Sequence, residues 1–128
     1  MIDTARAVPC VLIVEDEMQL AMMLEDILSD AGCRVIKAAR LPAALALAGS
    51  EAIDAAILDI NLAGTKAFPV ADVLHRRGIP FMFASGYGDD GLVAPYIGWE
   101  MLQKPYGMKQ LQQALESLLG DKAAMLAR

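Results

Sequence analysis

Asp59 stands in the stretch Ala55–Leu62, AAILDINL, where small and apolar residues run straight into an acid. Three other places put polar groups at the end of a short stretch that carries apolar residues. Glu15 and Asp16 follow CVLIV, Ser85 follows IPFMFA, and Lys104 follows EMLQ. Brought together, these side chains point to phosphoryl chemistry. Three carboxylates repel one another unless a cation joins them, and a hard divalent ion prefers oxygen ligands. The three negative charges of Glu15, Asp16 and Asp59, set against the one positive charge of Lys104, come to neutral with a 2+ ion. Mg²⁺ suits such a site because it takes few carboxylates and keeps room for water and phosphate oxygens; Mn²⁺ is the alternative. A central Asp59 is then a carboxylate nucleophile able to form an aspartyl phosphate. The cation and Lys104 neutralise the phosphoryl oxygens, and Ser85 offers them a hydrogen bond.

Each residue also has a plain structural explanation. Asp begins turns, and the acids of Glu15-Asp16-Glu17 suit the first turn of a helix. Ser85-Gly86 is a turn signal, and Lys104 alone is a surface lysine. What these explanations leave out is the joint placement at four strand ends.

The elements that would position them follow from hydrophobic pattern. Short apolar runs bounded by turn residues predict buried strands of a parallel sheet at Cys10–Val14, at Arg34–Ala38, within Ala55–Leu62 and ending at Asp59, at Ile79–Ala84 and at Glu100–Gln103. Helices are expected between them. The first buries Leu20, Met23, Leu24, Ile27, Leu28 and Ala31 and is closed by Gly32. The second spans about Pro42–Gly49 with Leu41, Leu45 and Ala48 inward. The third runs from about Pro69 to Arg77, burying Val70, Val73 and Leu74 before Gly78. The last runs from Met108 to about Leu126. Between the fourth and fifth strands, Gly88, Gly91, Pro95 and Gly98 leave at most a short or frayed helix.

Five alternations of strand and helix imply right-handed βαβ units. The expected fold is α/β: a doubly wound, flavodoxin-like (βα)5 sandwich with strand order 2-1-3-4-5. Strands one, three, four and five then lie side by side, and the polar groups share the carboxyl edge where such sheets bind ligands.

Composition sets outer bounds. The 128 residues make a single domain on the usual prior, with residues 1–8 a frayed lead-in. A net charge of −5 argues against nucleic acid or an anionic membrane surface as partner. No apolar run approaches the roughly 20 residues of a membrane span, and the start lacks a signal-peptide pattern, so the cytoplasm is the expected compartment. Cys10 and Cys33 make no metal or redox spacing. His75 stands alone near a helix end and is expected to be solvated.

The motifs VEDE, LDINL, FASGYG and QKP, in this order and spacing from about Val11 to Leu119, resemble the receiver domain of two-component response regulators. The resemblance implies that a sensor histidine kinase or phosphotransfer protein passes a phosphoryl group to Asp59. It makes Asp16 a direct metal ligand, Glu15 an acid acting mainly through metal-bound water, and the Asn61 backbone carbonyl a further ligand. Ser85, with Gly86, matches the switch and phosphate-binding position, Lys104 the phosphate-pairing lysine, and Pro105 a cis proline. The sequence departs from the common pattern in having Glu15 for Asp and Ser85 for Thr. Met101 replaces the Tyr or Phe that swings inward elsewhere. PFMFASGYG is similar to a subgroup with a Phe-Ala-Thr-Gly-Tyr-like motif and no aromatic switch. The expectation is a stand-alone receiver, without an output domain, that acts on an unidentified downstream protein and catalyses only its own phosphoryl transfer and dephosphorylation. Two other folds of this class weigh less. An Asp-dependent phosphohydrolase of the haloacid-dehalogenase kind has a second acid where Asn61 stands. A flavodoxin-like nucleotide binder needs a phosphate cradle where this chain has EDE. A receiver that binds partners without being phosphorylated is a third alternative.

Overall fold

The computed structural model describes residues 8–85, 92, 95–97, 99, 101–104 and 106–120. In chain order these form β1 (Cys10–Val14), α1 (Met18–Asp30), β2 (Arg34–Ala38), α2 (Leu41–Ser50), β3 (Ala55–Asp59), β4 (Asn61–Leu62), β5 (Thr65–Lys66), α3 (Phe68–Arg76), β6 (Phe81–Ser85), β7 (Met101–Gln103) and α4 (Met108–Leu119). β2-β1-β3-β6-β7 is a parallel sheet, the expected 2-1-3-4-5 order counted over its own strands. The fold is flavodoxin-like, with four helices among the described residues.

Period-two alternation sorts the sheet into two faces. Leu12, Val14, Ala56, Leu58, Phe81 and Phe83 pack toward α2 and α3. Val11, Ile13, Ile57, Met82, Ala84 and Leu102 pack with Leu24, Leu28, Leu111 and Leu115 of α1 and α4. Burial on both faces explains why these strands read as continuous apolar runs. Each fully buried aliphatic side chain contributes roughly 1.5–3 kcal/mol.

Several boundaries and faces depart from expectation. β6 starts at Phe81 rather than Ile79. Pro80 has no N–H to give to a ladder, and the Ile79 amide is spent on the Leu74 carbonyl (3.0 Å), closing α3 through Gly78 at φ 73°. The buried stripe of α1 is Ala21, Leu24 and Leu28, while Met23 turns to solvent with Met18 and Met22. α2 buries Ala44 and Ala48, with Leu41 and Leu45 half-buried. In α3, Val70, Ala71 and Leu74 face the core and Val73 is half-buried. The described part of α4 ends at Leu119, and the expected extension beyond Gly120 lies outside the described residues. So do residues 1–7, Glu100, and most of the segment between β6 and β7.

The pattern did not reveal the antiparallel pair β4–β5, which turns through Ala63 at φ 50° and Gly64 at φ 90°. Two successive left-handed residues are what a tight two-residue hairpin turn requires. This hairpin projects from the same edge as Asp59.

Candidate functional site

Alternation along three strands aims three side chains into one place. Ile13, Ile57 and Leu102 lie on the α1/α4 face. Two residues on from each are Glu15, Asp59 and Lys104, carried to that same face just past the strand ends. Glu15 and Asp59 are 3% and 5% exposed, the buried charged residues of the core. The Lys104 ammonium bridges them, 2.8 Å from Glu15 Oε1 and 3.1 Å from Asp59 Oδ2. It also approaches Glu17 Oε1 at 3.6 Å, a contact not foreseen from the sequence.

Backbone amides fix the remaining oxygens. The Glu17 amide donates to Glu15 Oε2 (3.0 Å), and the Asn61 amide donates to Asp59 Oδ1 (3.3 Å). Asp16 accepts from the Ala63 amide (3.0 Å), tying the loop after β1 to the β4–β5 turn. The Asn61 side chain accepts from Gly64 (3.1 Å) and holds that turn. Carboxylate oxygens of Glu15, Asp16 and Asp59 all come within 4.8 Å of one another. That is a hard-oxygen donor set, partly open through Asp16, of the kind a divalent cation takes.

The electrostatics reflect burial and pairing in competition. Burial pushes Glu15 up to about 7, against the pull of the Lys104 and Glu17 hydrogen bonds. Asp59 is also raised, by burial first, although Lys104 favours its charged form. Burial works against the Lys104 charge, but the hydrogen bonds and charges of Glu15 and Asp59 outweigh it and hold its pKa above the usual lysine range. Two buried acids thus share one cation.

The backbone of Ser85 ends β6 one residue beyond Ala84, the partner of Asp59, and pairs with Gln103. Ser85 therefore belongs to the same edge. Gly86 and Pro105 lie outside the described residues. Met101 sits on β7 and is 37% exposed, not a core residue.

A family model described as the response regulator receiver domain matches residues 11–116. The chain belongs to the response regulator receiver family. Among solved structures, SdrG from Sphingomonas melonis Fr1 is 43% identical, with 88% of this chain and 98% of that one covered at a TM-score of 0.78. A BeF3-activated conformation of SdrG from Pseudomonas melonis Fr1 is 44% identical, covering 86% and 95% at a TM-score of 0.72. A CheY-like receiver domain from Methanospirillum hungatei JF-1, 22% identical over 91% of this chain and 98% of that one, shares the fold at a TM-score of 0.80. No curated protein matches.

Phosphorylation on Asp is general in receivers, and the family binds Mg²⁺ at an acidic pocket. The donor set of Glu15, Asp16 and Asp59 fits that ion. Two further features of this receiver were not legible in its sequence. Tyr96 is buried among the rings of Phe68, Phe81, Phe83, His75 and Trp99, and its hydroxyl donates to Asp72 at 2.6 Å. Burial and that hydrogen bond raise its pKa. His75, expected to be solvated, is exposed but meets Tyr96 and Trp99 edge-on. Gly and Pro on either side of Tyr96 hid any periodicity. Tyr106 is buried beside the site, and only its position two residues after Lys104 hints at it.

Proposed function

We propose that this chain is a stand-alone receiver in which Asp59 takes a phosphoryl group from a sensor histidine kinase or phosphotransfer protein in the cytoplasm, and that the phosphorylated form binds a downstream protein. An Asp59 carboxylate oxygen attacks phosphorus, the P–N bond to the donor imidazole breaks, and the histidine leaves with a proton. Glu15, Asp16, Asp59 and the Asn61 carbonyl would hold Mg²⁺ or Mn²⁺. When bound, that ion supplies positive charge to the phosphoryl oxygens. Lys104 turns from its carboxylates to a phosphoryl oxygen, and Ser85 with Gly86 takes the phosphate-binding switch role.

The observation that carries this reading is the Lys104 ammonium shared between Glu15 and Asp59 inside a cluster of three carboxylates. A lysine already seated on the nucleophile is placed to follow charge as it moves from carboxylate to phosphoryl. The near full-length match to SdrG supports the single-domain organisation. Its BeF3-activated form makes beryllofluoride a suitable mimic. Adding Mg²⁺ and beryllofluoride together is expected to raise the unfolding temperature, and neither alone is expected to equal the pair. No response to the pair would contradict the proposal.

A further inference from the structure

Among the described residues, Tyr106 carries a buried side-chain polar atom with no hydrogen-bond partner. Its residue is 9% exposed, and its hydroxyl is shut off from solvent with no hydrogen-bond partner among the described residues. The ring packs on the α1/α4 face of the sheet with Val11, Ile13, Ala84, Leu102 and Leu111. Lys104 lies two residues before it. Gly107, immediately after it, starts α4 by donating its amide to Gln110 at 2.8 Å. The ring is therefore fixed from both sides, and a phenylalanine would fill the same space without a hydroxyl. A buried unpaired hydroxyl costs about 1–3 kcal/mol. Packing alone gives no reason for it.

Its place on the sheet indicates its use: Glu15, two residues on from Ile13, and Lys104, two on from Leu102, are carried to the same face as the Tyr106 ring. Burial pushes the Tyr106 phenol up to about 12, the Glu15 charge adds to that, and Lys104 pulls the other way. The phenol therefore keeps its proton and remains a donor. Each Glu15 oxygen has a donor, Oε1 from Lys104 (2.8 Å) and Oε2 from the Glu17 amide (3.0 Å). Phosphorylation of Asp59 disturbs that balance, because the phosphoryl group draws Lys104 and loosens its hold on a carboxylate that is 3% exposed. Glu15 Oε1, the oxygen that Lys104 leaves, is then a buried acceptor short of the N–H donor it had at 2.8 Å, and another donor offsets that loss beside the ion that the site would hold.

We infer that the Tyr106 hydroxyl donates to the Glu15 carboxylate when Lys104 turns to the phosphoryl group, so that Tyr106 is a positioning residue of the phosphorylated state. The inference rests on the phosphoacceptor role proposed for Asp59.

Tyr106→Phe tests it on the whole chain, compared with wild type in three measurements. Thermal unfolding without ligand is expected to be unchanged or shifted upward, since an unpaired buried hydroxyl is removed. Affinity for Mg²⁺ alone is expected to stay within twofold, because Lys104 remains on Glu15. Affinity for beryllofluoride in the presence of Mg²⁺ is expected to fall roughly tenfold, the range of one hydrogen bond to a charged group. In a Glu15→Gln background the loss on Tyr106→Phe is expected to shrink. Equal beryllofluoride affinity in Tyr106→Phe and wild type overturns the inference. So does a parallel loss of stability and of both affinities, which is the signature of packing alone, and so does an undiminished loss in the Glu15→Gln background. If wild type itself ignores beryllofluoride, the phosphoacceptor role falls and takes this inference with it. That result is distinct from a wild-type response matched by the variant.

Discussion

Glu15 is the residue on which the site's electrostatics turn. Burial raises it to about 7 from an ordinary 4.5, and Asp59 moves in the same direction. A carboxyl whose folded pKa lies above its unfolded one binds protons more readily when folded. Its stabilising contribution is full below about pH 4.5 and is lost as pH rises through about 7. Metal-free protein is therefore expected to lose stability across that window, and Glu15→Gln to remove a large part of the loss. Urea denaturation at a series of pH values checks this, and an identical slope in wild type and variant would contradict it. Mg²⁺ needs the deprotonated carboxylate, so its affinity is expected to climb through the same window. Most of these residues were legible because an acid or lysine at the end of a short stretch that carries apolar residues is conspicuous. Glu17 and Tyr106 were not, because a third acid in a helix's first turn and an aromatic after Lys-Pro each have ordinary explanations.

At the scale of elements, the strands were the easy part. β1 and β3 are apolar runs stopped by acids, so pattern and structure agree on the bounds of β1 and on the end of β3 at Asp59. The hairpin β4–β5 was hidden because its strands are two residues long, and only Gly64 of its two left-handed positions is a glycine. Yet that turn carries the Ala63 amide that orients Asp16. On α1, Leu24 and Leu28 are buried as expected, but Met23 is exposed and Ala21 is buried, because Met is tolerated inside and outside alike. A link between helices was also unforeseen. The Arg77 guanidinium donates to the carbonyls of Ala48 (2.6 Å) and Glu51 (2.9 Å), capping α2 from the end of α3. Arg77→Ala is expected to lose about 1–2 kcal/mol in chemical denaturation, toward the lower end because the side chain is largely solvated. Phosphorylation should proceed as before. A loss of chemistry without a loss of stability would show that the cap does something else.

Across the whole molecule, the two sheet faces have different characters. The α1/α4 face ends in the charged pocket, whereas the α2/α3 face ends in stacked rings. Phe81 and Trp99 stack at 4.7 Å, and Tyr96 meets both edge-on. The position that is commonly aromatic in receivers is the half-exposed Met101, so the buried aromatic near the edge strand is Tyr96, anchored on Asp72 of α3. Tyr96→Phe keeps the rings and is expected to lose about 1 kcal/mol, whereas Tyr96→Ala empties the cluster and is expected to lose about 3–5 kcal/mol. Equal losses would mean that the Asp72 hydrogen bond, not the ring, holds the cluster. Fold and strand order were readable because a doubly covered parallel sheet leaves an unmistakable alternation of apolar runs and helical stripes. The ring cluster was not, since it depends on contacts between residues far apart in the chain.

The role of Asp59 is tested most directly by intact mass after incubation with Mg²⁺ and a small acyl phosphate, for wild type and for Asp59→Asn. A single phosphoryl adduct is expected on wild type, absent without Mg²⁺ and absent from Asp59→Asn. An adduct that survives the substitution, or none on wild type, would contradict a phosphoacceptor at Asp59.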